Sequence, residues 1–393
     1  MDEYAAYLLA LWRQRFRTRR DLSWHQMKLW RKLRADFARY EALRDFQQTA
    51  YEDVPIIDVT TFRARFQAYN RYGLTSQNAA DAAQASEDGG THPLPHDLRA
   101  GFSTGTSGQQ RGLFITSARE RAAYTGQIMA KLLSPKQLFS VRRVAVCLRA
   151  PNELYRAGRL DLRFFPLGRD SAKSIAAFAP DLVIAPSQVL LALAKAGHQP
   201  SLKRVFYGAE TLNEIERAFI TQRLGIRPDP IYQATEGFLG APCQLGTLHL
   251  NEDSFRVEAD WLDETRFRPI VTDLLRRTQA VVRLRLDDIL QKTECACGSP
   301  LTAVMPVEGR IQDRWQWEHP VYPREIEALL APLIPADHPW IAEASQTDIH
   351  LDCLDEDAPA LCNALKVFGK PIRQESYRAE RDYPKRRHVR WKP

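Results

Sequence analysis

Large apolar residues in the first fifty positions return at intervals of three and four. Leu8, Leu9, Trp12 and Phe16 make one set, and Trp30, Leu33, Phe37 and Tyr40 another, which is the spacing of helices. Residues 75–97 carry Ser, Asn, Asp, Gly, Pro and many Ala with little large apolar content, which predicts a surface loop or linker. From about 141 to 240 the pattern alternates. Val144–Leu148, Leu182–Ile184, Arg204–Tyr207 and Ile231–Ala234 read as strands. Between them, Ser187 opens a helical pattern that Gly197 ends, and Asn213 opens one that stops near Gly225. Such alternation predicts an α/β sheet covered by helices.

After 245 the pattern becomes hairpin-like, with strands expected at Ser254–Val257, Pro269–Leu274 and Val281–Leu286. In the last of these Val282, Leu284 and Leu286 alternate with Arg283, Arg285 and Asp287. The final eighty or so residues, rich in Pro and charge, read as a separate small α+β domain. No internal repeat is visible.

At 393 residues the chain is long enough for a large domain and a small one, and 44% apolar with 26% charged residues is ordinary for a globular protein. No apolar run reaches the roughly 20 residues that span a bilayer, and the acidic start Met1-Asp2-Glu3 does not read as a signal peptide. Six scattered cysteines do not form a disulfide framework, so a cytoplasmic location is expected. The net charge of +7 permits an acidic partner without identifying one. The arginines and lysines of residues 1–50 form either a solvated helix face or a docking surface for an acidic protein or a membrane.

Ser103-Thr-Gly-Thr-Ser-Gly-Gln-Gln-Arg-Gly112 places four hydroxyls and three glycines in ten residues, followed by the strand-like Leu113-Phe-Ile115. Hydroxyls and free backbone N–H groups suit a polyphosphate. No Gly-Lys-Ser/Thr closes the run, so it is not a Walker loop.

This run resembles the phosphate loop of the adenylate-forming superfamily (acyl-CoA synthetases, adenylation domains, luciferases), with Gln110 where Pro is usual and Arg111 where Lys is usual. Further motifs follow in that superfamily's order. Tyr207-Gly-Ala-Glu-Thr-Leu212 resembles the segment against adenine. Tyr232-Gln-Ala-Thr-Glu236 resembles Tyr-Gly-x-Thr-Glu. Arg283-Leu-Arg-Leu-Asp-Asp288 resembles Arg-Tyr-Arg-x-Gly-Asp, and Gly309-Arg-Ile-Gln-Asp313 the hinge.

The resemblance implies an α/β fold: a large N-terminal adenylation domain over residues 1–308 and a small mobile α+β domain over 309–393. It implies that ATP, and AMP after it, meets Ser103, Thr104, Gly105, Thr106, Ser107, Gly108 and Arg111 at the phosphates. Gly208, Ala209, Glu210 and Tyr232 would lie at adenine, and Asp288 and Arg310 at the ribose or phosphate. Thr235 would contact the α-phosphate and Glu236 would help bind Mg2+. A lysine near the chain end would act in adenylation, either Lys385 in Tyr-Pro-Lys-Arg-Arg-His388 or Lys370 in Gly-Lys-Pro-Ile-Arg373, with Lys385 preferred.

Gly246-Thr-Leu-His-Leu-Asn-Glu-Asp253, Val271-Thr-Asp-Leu274, Cys295-Ala-Cys-Gly298 and Val321-Tyr-Pro-Arg-Glu-Ile-Glu327 resemble the phenylacetate–CoA ligase branch. Within it the chain is similar to the hydroxybenzoate-activating ligases of aryl-polyene pigment pathways, which load an aryl acid onto an acyl carrier protein. The implied partners are an aromatic carboxylic acid and a carrier protein or coenzyme A, with no nucleic acid, no transmembrane segment and at most peripheral membrane contact.

Cys243, His249, Cys295 and Cys297 are either a closed tetrahedral set for structural zinc or reduced core cysteines. Two other classes fit part of the chain. One is a ligase of the same fold that uses coenzyme A or transfers only the adenylyl group. The other is a non-enzymatic zinc module binding nucleic acid, which leaves the ordered motifs unexplained.

Overall fold

The computed structural model describes residues 3–13, 16–103, 111–147, 161–197, 199–378 and 386–393. At its centre is a five-stranded parallel sheet. Its strands lie in the order Asp161–Phe165, Arg143–Cys147, Leu182–Ala185, Arg204–Tyr207 and Pro228–Pro230. Helices Ser171–Phe178, Ser187–Ala196 and Glu214–Leu224 cover one face, burying Ile175, Leu190, Leu193 and Ile220 against Val183 and Val205. The opposite face packs Val144, Val146 and Phe206 against helix Ala118–Leu132 and Phe238. The two apolar faces explain why these strands read as continuous apolar runs.

Sequence signals set the helix ends. Asn213 and Glu216 form a capping box, and Gly225 closes that helix with φ +73°. Ser187 departs from its expected role: Pro186 is the cap position and the Ser187 hydroxyl turns elsewhere. The stretch expected as a linker contains helix Ser76–Glu87, capped by Thr75. Ala79, Ala82 and Ala83 form its buried stripe. Alanine is both the best helix former and small enough to hide an apolar stripe from a search for large residues.

The antiparallel strands Phe255–Trp261 and Arg266–Asp273 run longer than their patterns suggested, whereas the Val281–Leu286 pattern yields only Leu284–Arg285. Arg283 breaks it. Its backbone turns to φ +44°, and its buried guanidinium bonds Glu258 and the carbonyls of Glu52 and Val54 instead of facing water. Helix Arg19–Arg34 belongs to this core, burying Leu29, Trp30 and Leu33 with Phe255 and Val271.

Helix Glu3–Arg13 crosses Ala118–Leu132 closely at Gly126, where a Cβ would stand 2.6 Å from Ala6. Ala6, Tyr7 and Ala10 face inward there, which turns Leu8 and Trp12 to solvent. The C-terminal region has its own core, in which Trp315, Ile326, Leu330 and Leu361 pack on the sheet Ile372–Ser376, Ile349–Cys353, Trp340–Ala344 and Val389–Trp391. Among the described residues no helix is long and apolar enough to cross a membrane.

Candidate active site and metal cluster

The carboxyl ends of the parallel strands open on a cavity of about 420 Å³, the usual place for a ligand in such a sheet. Residues 208–210 leave the strand Arg204–Tyr207 there. Gly208 lies so near Ile231 that a Cβ would meet its side chain at 2.8 Å, and Ala209 holds φ +70°. A side chain in that region costs about 1–3 kcal/mol and persists where the surroundings fix it. Glu210 supplies part of that fixing: it accepts the Ser187 hydroxyl at 2.8 Å, the Gln188 amide side chain at 2.8 Å and the backbone N–H of Arg386 at 2.9 Å. Its carboxylate is thus taken up by helix and C-terminal contacts, while the residue still lines the cavity.

Tyr232 begins the next strand, buried, and its hydroxyl donates to Asp288 at 2.7 Å. Burial first, then the Asp288 charge, raises the Tyr232 phenol well above its ordinary range. Asp288 stands opposite Arg310 in the pairing of Asp288–Gln291 with Gly309–Arg310, with Nε 4.0 Å from its carboxylate. Glu236 is buried on the cavity wall. Burial raises its pKa, and Asp288 adds to the shift against Arg63 and Arg276. Asp288 itself is engaged by Tyr232 and Arg310, which leaves Glu236 as the buried carboxyl on this wall that could hold a cation.

The antiparallel strands Arg99–Phe102 and Leu113–Thr116 flank the Ser/Thr/Gly run in the chain, and of that run Ser103, Arg111 and Gly112 are described. Ser103 and Gly112 close a neck where the strands end: Ser103 N–H donates to the Gly112 carbonyl at 2.7 Å and Gly112 N–H to the Ser103 hydroxyl at 2.9 Å. Thr235 sits against this neck, 2.6 Å from where a Cβ on Gly112 would lie. Arg111 is bound by Glu87, with one guanidinium contact of 2.8 Å, and lies 4.4 Å over the Phe102 ring. Its charge is thus engaged by Glu87 rather than left for a phosphate, and its Nε donates to the Ser103 carbonyl at 3.2 Å across the neck. Thr104, Gly105, Thr106, Ser107 and Gly108 lie outside the described residues, as does Lys385. Lys370 donates to the Gln346 carbonyl at 2.9 Å and does not line the cavity.

The structure adds residues that the motifs did not single out. Arg386–Val389 reach the cavity from the C-terminal region, and Arg387 pairs with Asp313. Burial, with Arg310 and Arg390 alongside, lowers the Arg387 guanidinium to about 10. Arg276, a buried residue of the cavity lining, donates to Gln279 at 3.0 Å and to the Ile115 carbonyl at 3.2 Å. The run Lys385-Arg-Arg-His388 was the sequence signal for the first group; Arg276 had none.

The four proposed zinc ligands converge. Their ligand atoms all lie within 4.8 Å of one another, with Cys243 and Cys295 sulfurs 3.7 Å apart and Cys297 sulfur 3.4 Å from His249 Nε2. His249 Nδ1 donates to the Leu301 carbonyl at 2.9 Å, which leaves Nε2 as the free ligand atom. Burial would raise the Cys295 thiol, but hydrogen bonds with Thr247, His249 and Cys297 lower it to about 6. Three thiols and one imidazole fit zinc and fill a tetrahedron, leaving no open position.

No family model matches the chain, and no curated protein does. Among solved structures, 2-hydroxyisobutyryl-CoA ligase in the postadenylation state with its acyl-AMP is 17% identical with TM-score 0.61, over 91% of this chain and 85% of that one. The same ligase gives 0.56 in an open conformation (15% identity, 90% and 88% covered) and 0.51 in the thioesterification state (16%, 90% and 85%). Anthranilate CoA ligase with anthranoyl-AMP is 12% identical, TM-score 0.52, over 73% and 66%. The chain therefore has the fold of the adenylate-forming acid–CoA ligases.

Proposed function

We propose that this chain activates a carboxylic acid with ATP and passes the acyl group to a thiol. The observation that carries this reading is the Tyr232–Asp288–Arg310 arrangement facing Thr235 and the neck of the Ser103–Gly112 loop across one cavity. Tyr232 and residues 208–210 bind adenine, Asp288 takes the ribose hydroxyls, and the loop holds the β- and γ-phosphates. Glu236 would hold Mg2+, which would screen phosphate charge when bound. A carboxylate oxygen of the acid attacks the α-phosphorus, the bond to the bridging oxygen breaks, and pyrophosphate leaves. In the second half-reaction a thiolate forms the carbon–sulfur bond, and AMP leaves with the bonding pair.

The finer reading is an aryl acid, specifically a hydroxybenzoate. Phe114, Tyr124 and Phe238 on the cavity wall support it, since aromatic faces suit a flat ring. For the first half-reaction the small domain, residues 309–393, supplies Lys385 as the cation between carboxylate and α-phosphate. The Cys243–His249–Cys295–Cys297 cluster holds structural zinc.

For the acceptor, a carrier protein is supported by the outward face of helix Arg19–Arg34, where Arg20, Lys28 and Arg31 surround the exposed Trp24 and Met27. Coenzyme A is the alternative that the neighbouring ligases' names favour. Acid-dependent ATP–pyrophosphate exchange across benzoates and aliphatic acids tests the activation. Exchange with no acid at all removes it. Transfer to a carrier protein against coenzyme A then decides the acceptor.

A further inference from the structure

The contact between the C-terminal segment and the parallel-sheet layer is polar, buried and specific. Glu216 lies at the start of helix Glu214–Leu224, and its two oxygens have different partners. One accepts the Asn213 N–H at 3.2 Å and completes the helix cap. The other meets the Arg386 guanidinium at 2.7 Å and faces His388 Nε2 at 3.4 Å. Glu216, Arg386 and His388 are 3%, 5% and 2% exposed. Burial alone would raise the Glu216 pKa, but Arg386 and His388 outweigh it and hold the carboxyl below its ordinary range.

Arg386 is held at two further points. Its backbone N–H donates to Glu210, and its guanidinium to the Ser187 hydroxyl at 3.1 Å. The His388 ring is stacked on Trp340 at 4.4 Å and donates to the Trp340 carbonyl through Nδ1 at 2.9 Å. Beside this cluster the Thr211 hydroxyl donates to buried Glu327 at 2.9 Å. Residues 187, 210, 211 and 216 thus form one side of a latch, and residues 327, 386 and 388 the other.

We propose that Glu216 and Arg386 are positioning residues for the first half-reaction. Their ion pair seats the segment Arg386–Val389 in the cavity. The pair must part when the small domain turns for thiol attack. The inference rests on the proposed two-step function and adds the element that biases the two arrangements. A buried ion pair suits this task because it is directional and short-ranged: breaking it leaves a buried charge without its partner, so intermediate orientations are disfavoured. The helix-cap oxygen keeps the Glu216 carboxyl oriented in either arrangement, so the latch can close again without reorganising the helix.

The test uses the full chain with Glu216→Gln, which keeps shape and the cap contact, and Arg386→Lys, which keeps charge but loses the planar fork. Glu216→Gln should lower pyrophosphate exchange by about 100-fold, the loss expected when a reacting group is misplaced by about 1 Å. Transfer from preformed acyl-AMP to the thiol should stay within about threefold of wild type, and Arg386→Lys should recover part of the exchange. Equal loss in both half-reactions, or exchange within threefold of wild type, overturns the proposal. Small-angle scattering of the ligand-free protein gives a readout independent of activity: Glu216→Gln should widen the radius of gyration, and an unchanged profile also overturns it. Should wild type show no exchange with any acid, the proposed function falls, and the scattering comparison still decides the latch.

Discussion

The Tyr232 hydroxyl donates to Asp288 at 2.7 Å, joining the first strand after the parallel sheet to the antiparallel strand that leads into the C-terminal region. This bond orients the carboxylate assigned to the ribose while Arg310 stands 4.0 Å from its other oxygen. Tyr232→Phe leaves the fold intact and frees Asp288 to turn. The KM for ATP in the exchange assay should rise about tenfold, equivalent to about 1.4 kcal/mol, with kcat changed far less. An unchanged KM would place the nucleotide elsewhere in the cavity.

Glu236 has its pKa raised from 4.5 by burial, with Asp288 contributing and Arg63 and Arg276 opposing. A raised folded-state pKa means that ionising this carboxyl costs stability as pH rises above its unfolded value. A cation that binds only the ionised form offsets that cost. Exchange at limiting Mg2+ should therefore fall on the acid side at a pH above the ordinary carboxylate range, and saturating Mg2+ should shift that limb to lower pH. Glu236→Ala should abolish exchange with the circular-dichroism spectrum preserved. An acid limb that ignores Mg2+ concentration would detach Glu236 from the metal.

Part of the lining of this cavity was legible because short motifs at strand ends mark it. Tyr232, Thr235, Glu236, Asp288 and Arg310 were named from short motifs and all line one cavity. The two cysteine groups were readable as a set, since few roles other than metal binding need three thiols and an imidazole within reach of each other. The helix Ser76–Glu87 was missed because its buried stripe is alanine. The positive φ of Arg283 came from tertiary bonds to Glu258, Glu52 and Val54, which no period-two pattern reveals. The Glu216–Arg386 pair was hidden because each residue has an adequate local reading, one as a helix cap and the other as part of a basic tail.

Zinc content gives a direct check on the cysteine cluster. Purified without chelator, the protein should carry about one zinc per chain. Cys295→Ser combined with Cys297→Ser should lose it and lower Tm by several degrees, because metal binding to the folded site is folding free energy. Arg19 bonds both Glu252 and Thr302, and Thr302 follows the Leu301 carbonyl that orients His249. Metal loss should therefore also increase hydrogen exchange in helix Arg19–Arg34. Metal-free protein of unaltered Tm would return these cysteines to ordinary core packing.

The basic N-terminal residues divide into two kinds. Arg19 is tied to Glu252 at 2.8 Å, so reversing its charge should reduce stability. Arg20, Lys28 and Arg31 face outward around Trp24 and Met27. Reversing these three should raise the KM for an acidic carrier protein about tenfold or more at low salt, with the effect shrinking as salt screens it beyond about 8 Å at physiological ionic strength. Pyrophosphate exchange should be spared. Unchanged transfer would put carrier docking on another surface.

The choice between the two C-terminal lysines is settled by separating the half-reactions. Lys370 is engaged by the Gln346 carbonyl at 2.9 Å and lies 5.5 Å from the centre of the Trp317 ring, on a part of the C-terminal region that does not line the cavity. Lys385 adjoins Arg386, which is anchored in the cavity wall by Glu216 and Glu210. A cation that bridges carboxylate and α-phosphate stabilises charge only while the oxygen–phosphorus bond forms, so its loss acts on adenylation alone. Lys385→Ala should reduce acyl-adenylate formation by about 100-fold or more and still transfer the acyl group from preformed acyl-AMP. Lys370→Ala should leave both half-reactions within about threefold of wild type, since only a surface contact is lost. The opposite pattern, with adenylation lost in Lys370→Ala and kept in Lys385→Ala, would assign the role to Lys370.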